Sequence, residues 1–254
     1  MSDRFSTCHS VTAAWEGGWS NHKDDPGGKT MYGVTEPVFH SWLKSQDKPL
    51  KPVAKITKNQ ALAIYKANYW APTAGRYKLK PGVDLAVYDA GVNSGVSRAL
   101  KWMKAGIDKN DRHVETVKNI CRQRLSFMQG LRHWKTFGRG WTNRVTDIEA
   151  KGVKMALAAE NDALAVQLAL SDESRKSKET SNRQAGVATG SGVAAGGSTQ
   201  VDVDPELVIM TSDQISSLAH TGMIGVLVVF GLWLGWRAWL NHKRAMAFGR
   251  EAVL

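Results

Sequence analysis

The chain has 254 residues, enough for one sizeable domain with appendages or for two small ones, and 43% of them are hydrophobic, which supplies a real core. The formal charge is +11, and much of it lies between Arg98 and Lys151, where thirteen Lys and Arg face five Asp and Glu. A surface of that kind favours an anionic partner: nucleic acid, a phosphate-bearing envelope polymer or a lipid headgroup. Cys8 and Cys121 stand far apart and make no metal-ligand spacing with the seven histidines, which argues against a zinc site and against a disulfide scaffold.

The first eighteen residues, MSDRFSTCHSVTAAWEGG, lack the unbroken apolar stretch and small-residue cleavage site of a secretory signal, so no export route is expected from them. Phe5, Cys8, Val11 or Thr12, and Trp15 recur at helical spacing, and Gly17-Gly18 then stop the helix with Glu16 at its end. Residues 17 to 34 are polar and glycine-rich, as a loop or small hairpin requires. Thr35 is placed to cap a short helix carrying Val38, Phe39, Trp42 and Leu43, with Pro37 in its first turn. Thr57 and Gln60 have capping-box spacing ahead of Leu62, Ile64, Tyr65 and Tyr69.

After the break at Pro81-Gly82, VDLAVYDAGVNSG reads as a mostly buried helix ending near Gly95. Further helices are expected from Ser97 to Gly106, through Val114, Val117, Phe127 and Leu131, and from about 141 to 170, with HWKTFGRGW as an interruption. Sustained alternation is absent, so the fold class is mainly α. From Ser171 to Pro205 the composition turns to Ser, Gly, Ala, Thr and charge, which predicts a flexible linker over 171–211.

From Gln214 to Trp236 there are 23 uncharged residues, about 34 Å of helix and enough for one C-terminal transmembrane helix, expected over 212–240 with a basic tail at 241–254. Arg237, Lys243, Arg244 and Arg250 follow the run, whereas Val201 to His220 carries Asp202, Asp204, Glu206 and Asp213 and lacks Lys and Arg. That bias puts the C-terminus in the cytoplasm and the preceding chain outside. The other topology is a tail anchor holding the preceding chain inside until a separate lesion-forming protein breaches the membrane. Gly231 and Gly235 form a small-xxx-small pair suited to helix-helix self-association.

Glu16 carries the chemical expectation. A carboxyl at a helix C-terminus faces the negative end of the helix dipole, and Trp15 and Trp19 are candidate apolar walls; both effects favour the neutral acid. A protonated glutamate can hand its proton to a glycosidic oxygen, while Asp24 or Asp25 in a solvated loop stays ionised to steer water or balance positive charge. The plainer alternative is an exposed glutamate beside an ordinary Asp-Asp-Pro-Gly-Gly turn.

The pattern from Glu16 onward resembles glycoside hydrolase family 108, peptidoglycan-degrading muramidases found as phage endolysins and secretion-associated lysozymes. The resemblance lies in Glu16-Gly17-Gly18-Trp19, Asp25-Pro26-Gly27-Gly28, Thr30 and Gly33-Val34-Thr35. IYKANYW (64–70) and VDLAVYDAGVNSG (83–95) are similar to later family segments, and RQRLSFMQGLRHWKTFGRGWTNRV (122–145) to the peptidoglycan-binding domain that commonly follows. That second part departs from its pattern in AGIDKNDRHVETVKN, which leaves Trp134, Phe137 and Trp141 as expected core or hinge residues.

The resemblance implies a lysozyme-like helical fold, with a muramidase region at 1–95 and a peptidoglycan-binding-like region at 96–170 packed against it. It makes Glu16 the catalytic acid and Asp25 the candidate second carboxylate, with Thr30 as a water or substrate contact. Trp19, Tyr69 and Trp70 are candidate sugar platforms, and the Asn93 amide a candidate acetamido contact. It implies an N-acetylmuramidase acting in host lysis from the inner membrane on the periplasmic side. A stem-peptide endopeptidase and a non-catalytic wall-to-membrane tether are the competing readings. No cofactor, metal or nucleic-acid partner is implied.

Overall fold

A computed structural model describes residues 3–16, 28–188 and 223–253, with the side chains of 188 and 223–230 outside the description. The described residues divide into two units, Met1–Val166 and Gln167–Leu254.

In the first unit, α1 (Arg4–Ala13) starts where the Asp3 carboxylate accepts from Phe5 N–H at 3.3 Å, and it buries Phe5, Cys8 and Thr12. Strands β1 (Thr30–Met31) and β2 (Val34–Thr35) form a small antiparallel hairpin in register Thr30↔Thr35. Tyr32 and Gly33 both have positive φ, 52° and 73°, as a two-residue type I′ turn requires. Helix α2 (Glu36–Ser45) follows Thr35 with Pro37 in its first turn; Thr35 occupies the cap position, but its hydroxyl makes no capping bond. At α3 (Lys58–Tyr65) the capping box forms in full, with Thr57 N–H donating to Gln60 at 2.9 Å and Gln60 N–H donating to Thr57 at 3.2 Å.

The chain runs on from α3 as a wide helical segment, Lys66–Gly75, distorted at Thr73 beside Pro72. Proline lacks the N–H that a regular turn would use. Helix α4 (Val83–Ser94) is buried from Val83 through Gly91 and packs on α1, on the wide segment, and on α5 (Val96–Gly106), α6 (His113–Gln129) and α7 (Trp134–Ala158). Its N-terminus presses on α7 so closely that a Cβ at Gly82 would lie 2.1 Å from the Gly152 carbonyl oxygen. Buried Asp84 accepts from the N–H groups of Gly82 and Leu85 and from Arg4 Nε at 2.8 Å, which ties α1 to the start of α4.

Three expectations are corrected. HWKTFGRGW does not interrupt the helices: α7 begins at Trp134, and the break is confined to the few residues before it. Gly138 within α7 serves packing, since a Cβ there would lie 2.7 Å from the Trp134 indole. The expected linker is helical in its first half, because α8 spans Ala163–Ala188; residues 189–211 lie outside the described residues. The basic tail is not a separate segment: α9 (Met223–Val253) runs through it, with Phe248 fully buried.

Among the described residues no helix is long and apolar enough to cross a membrane. Most of the expected span, 212–222 together with the side chains of 223–230, lies outside them.

Within the second unit, α9 lies against α8. Leu234, Ala238, Asn241, Ala245, Phe248 and Ala252 repeat at four and three residues, the spacing of a coiled-coil seam. Ser174 Oγ donates to the Ala245 carbonyl at 2.8 Å, Ser181 Oγ to the Ala238 carbonyl at 2.7 Å, and Asn241 Nδ2 to Gln184 Oε1 at 2.9 Å. Small and polar side chains on this seam let the helices approach while satisfying their buried hydroxyls and amides.

Candidate active site

Glu16 sits just beyond α1, in a final turn closed by Trp15 N–H on Thr12 O and Glu16 N–H on Ala13 O. Its side chain, 21% exposed, is gripped from two sides. Arg144 Nη2 on α7 donates to Glu16 Oε1 at 2.9 Å. From the hairpin, Gly33 comes so close that a Cβ there would stand 2.9 Å from Glu16 Oε2 and 2.2 Å from the Tyr65 hydroxyl. Gly33 therefore serves both its positive φ and this close approach. Tyr65 in turn donates to the Tyr32 carbonyl at 3.1 Å, locking the turn over the glutamate.

Arg144 is itself fixed from below. Its Nε and Nη2 donate to Asp89 on α4 at 3.2 and 2.8 Å, and Arg124 on α6 donates from Nη1 to Asp89 at 2.6 Å and from Nη2 to Asn93 Oδ1 at 3.0 Å. Asp89 and Arg124 are fully buried. Burial alone would raise the Asp89 carboxyl, but the charges of Arg124 and Arg144 outweigh it and hold it below the usual carboxylate range. For Arg144, burial works against the charged guanidinium, yet Asp89 and then Glu16 more than compensate and raise it. Two arginines and two acidic side chains thus form a hydrogen-bonded chain from the core to the site.

Glu16 opens onto a cavity of about 470 Å³, lined also by His9, Tyr32, Lys58, Leu62 and Tyr65. The hydroxyls of Tyr65 and Tyr69 are both pushed up, by burial first and by the nearby Glu16 charge second, so both stay protonated donors. Burial lowers His9 from its ordinary value, and its Nδ1 shares a hydrogen bond of 2.8 Å with the Tyr88 hydroxyl, itself raised by burial.

The expected site residues are distributed unevenly. Glu16 stands at the cavity. Tyr69 is half-buried, its ring 5.6 Å from that of Tyr65. Trp70 is directed into packing, edge-on to Phe5 at 5.8 Å and Tyr88 at 5.6 Å. The Thr30 hydroxyl donates to the Gly28 carbonyl at 3.1 Å. Asn93 gives its amide oxygen to Arg124, which connects it to Glu16 through the ion chain. Asp25, Asp24 and Trp19 lie outside the described residues. The expected apolar wall at Trp15 is corrected: its indole N–H donates to Asp147 at 3.0 Å, and the group touching Glu16 is a guanidinium.

Asp89 had a signal in the sequence, an acid inside an otherwise apolar run, since an unpaired carboxylate is almost never buried. Arg124 and Arg144 had none, being two of many basic residues in their region.

Residues 9–95 match the model of the Glycosyl hydrolase 108 family. The solved structure of Brucella abortus SagA is similar to this chain at 27% identity, with a TM-score of 0.53, covering 60% of this chain and 95% of that one. No curated protein matches. The family match stops at residue 95, so a peptidoglycan-binding-like region over 96–170 rests on sequence resemblance alone.

Proposed function

We propose that this protein is an N-acetylmuramidase, cutting the β-1,4 bond between N-acetylmuramic acid and N-acetylglucosamine with Glu16 as general acid. The observation that carries this reading is the asymmetric grip on Glu16. Its Oε1 accepts from Arg144 at 2.9 Å, which fixes the carboxyl at the cavity with Oε2 turned to the hairpin side. Oε2 is the oxygen proposed to carry the proton that is transferred. As the glycosidic bond breaks, Oε2 passes its proton to the leaving oxygen, the bonding pair stays with that oxygen, and water adds to the anomeric carbon and releases its proton to the second carboxylate. Asp25 is the proposed carboxylate that steers the water, with Thr30 as a proposed water or substrate contact.

A stem-peptide endopeptidase is the competing reading on the same substrate. Mass spectrometry of sacculi digested by the full-length protein tests the bond. New reducing muramic-acid ends support the reading, and new free amines on an intact glycan overturn it.

The proposed setting is an endolysin held at the inner membrane by the apolar run 214–236 and acting in the periplasm, with a holin-type partner if the enzyme is first held inside. What supports it is the length of the run and the basic residues after it. A Cβ at Gly231 or Gly235 would meet nothing within 4 Å, so both retain room for a second helix. Protease accessibility in intact spheroplasts tests the topology: cleavage within residues 1–200 supports the outside arrangement, and protection refutes it.

A further inference from the structure

The start of α7 carries an aromatic run that the site above does not use. Phe137 is 53% exposed and Trp134 and Trp141 are half-buried. The ring centres follow one another at 6.3 Å for His133 to Phe137, 5.9 Å for Phe137 to Trp141 and 6.0 Å for Trp141 to Trp134. A soluble helix ordinarily turns such side chains inward, and here the sequence predicted core residues. Gly138 keeps the run in place, because its missing Cβ is what lets the Trp134 indole lie along the helix.

The position of this stripe is its second property. Phe137 and Arg144 are seven residues apart, about 20° around the helix and about 10 Å along it, so the rings share a face with the guanidinium that holds Glu16. Further along α7 that face is covered, with Val145 and Ile148 buried; before Arg144 it emerges into solvent. From Trp134 to Arg144 the stripe runs about 15 Å along the helix. Arg132, Lys135 and Arg139 are exposed around it, without a carboxylate partner among the described residues.

We infer that Trp134, Phe137 and Trp141 form an extended glycan-binding platform, on which successive pyranose rings of a peptidoglycan strand stack as the strand leads toward Glu16. This rests on the hydrolase reading, since that reading makes the strand the molecule that must reach Glu16. Aromatic faces are electron-rich and attract the polarised C–H faces of sugar rings. The surrounding cations complement the carboxylates that peptidoglycan carries on its muramic acid lactyl groups and stem peptides.

The test uses full-length protein carrying Glu16→Gln, so that binding is read without cleavage, with intact sacculi and with glycan strands freed of stem peptides as probes. Adding Phe137→Ala and Trp141→Ala together is expected to weaken binding to both probes about tenfold or more, and Trp141→Tyr to restore most of it by restoring a ring face. Phe137→Ala alone, at a largely exposed position, is expected to give a several-fold loss with an unchanged circular dichroism melt. Unchanged binding to the peptide-free strands overturns the inference. So does a loss confined to intact sacculi, which would assign the stripe to stem peptides. A shift from dimer to monomer in sedimentation with strand binding intact would assign it to a second copy of the chain, and equal loss of binding to anionic lipid vesicles but not to strands would assign it to a membrane. Reducing-end release by the protein with Glu16 intact is read separately: its absence defeats the hydrolase reading, whatever the stripe binds.

Discussion

Asp89 and Asp172 are both aspartates held by two cations, and they do different things. Asp89 lies fully buried between Arg124 and Arg144, on three different helices, and the chain it anchors ends on Glu16. Asp172 lies on the surface of α8 with Arg175 and Lys176 of the same helix, and the Lys176 contact measures 2.6 Å. The comparison teaches that ion-pair distance says little by itself. In the exposed cluster water competes for every charge and the neighbours are already fixed by the helix. In the buried cluster each group would be stranded without the others, so the geometry is enforced and reaches the reacting carboxyl.

The largest expected effect follows from stranding. Asp89→Asn removes the charge that both arginines share, and the folded state is expected to lose about 3–5 kcal/mol in chemical denaturation. A change well under that would mean the arginines find other partners and the cluster is not a unit. Next, Arg144→Lys keeps a positive charge but cannot hold Asp89 and Glu16 with one planar group. Hydrolysis is expected to fall about a hundredfold through lost positioning of Glu16, with KM changed much less than kcat. Equal loss in a variant that has also unfolded would not count, so the melting profile is read alongside.

The acid limb separates the two aspartates by sign. Asp89 is held below its ordinary value of 3.8 in the fold, so the unfolded chain takes up that proton first. Its contribution to stability is therefore present above pH 3.8 and is lost as the pH falls below it, through the lowered native value. Stability measured against pH is expected to drop steeply there in the parent and to flatten in Asp89→Asn. The smallest effect is at the surface. Asp172 is also lowered, by Lys176 and then Arg175, but Asp172→Asn is expected to leave the denaturation midpoint and the acid limb where they were. A clear shift would show that exposed pairs on α8 matter more than solvent screening allows.

The same contrast marks what could be read from the chain beforehand. Short-range rules were legible: the Thr57–Gln60 capping box, the buried helix between Pro81-Gly82 and Gly95, and a loop or small hairpin ending near residue 34 all depend on neighbours in sequence. The place of Glu16 at the end of the first helix was legible because it too is local. The partners that fix its orientation were not, since Arg144 meets Glu16 across 128 positions and looks like any other arginine. Trp134, Phe137 and Trp141 misled for a related reason. Apolar residues at helical spacing imply a buried face, but whether anything covers that face depends on where the helix ends relative to the rest of the body. At α8 the low apolar content suggested a tether, whereas a seam of Ser174, Ser181 and Gln184 against α9 needs hydroxyls and amides more than hydrocarbon.

If Glu16 is the proton donor that Arg144 orients, one substitution decides the matter. Turbidity of a purified peptidoglycan suspension is followed with full-length protein and with its Glu16→Gln form, both shown to be folded. The parent is predicted to clear the suspension and the Gln form to leave it turbid. Clearing at the same rate by both would contradict the assignment of Glu16 and with it the catalytic role of the ion chain beneath it.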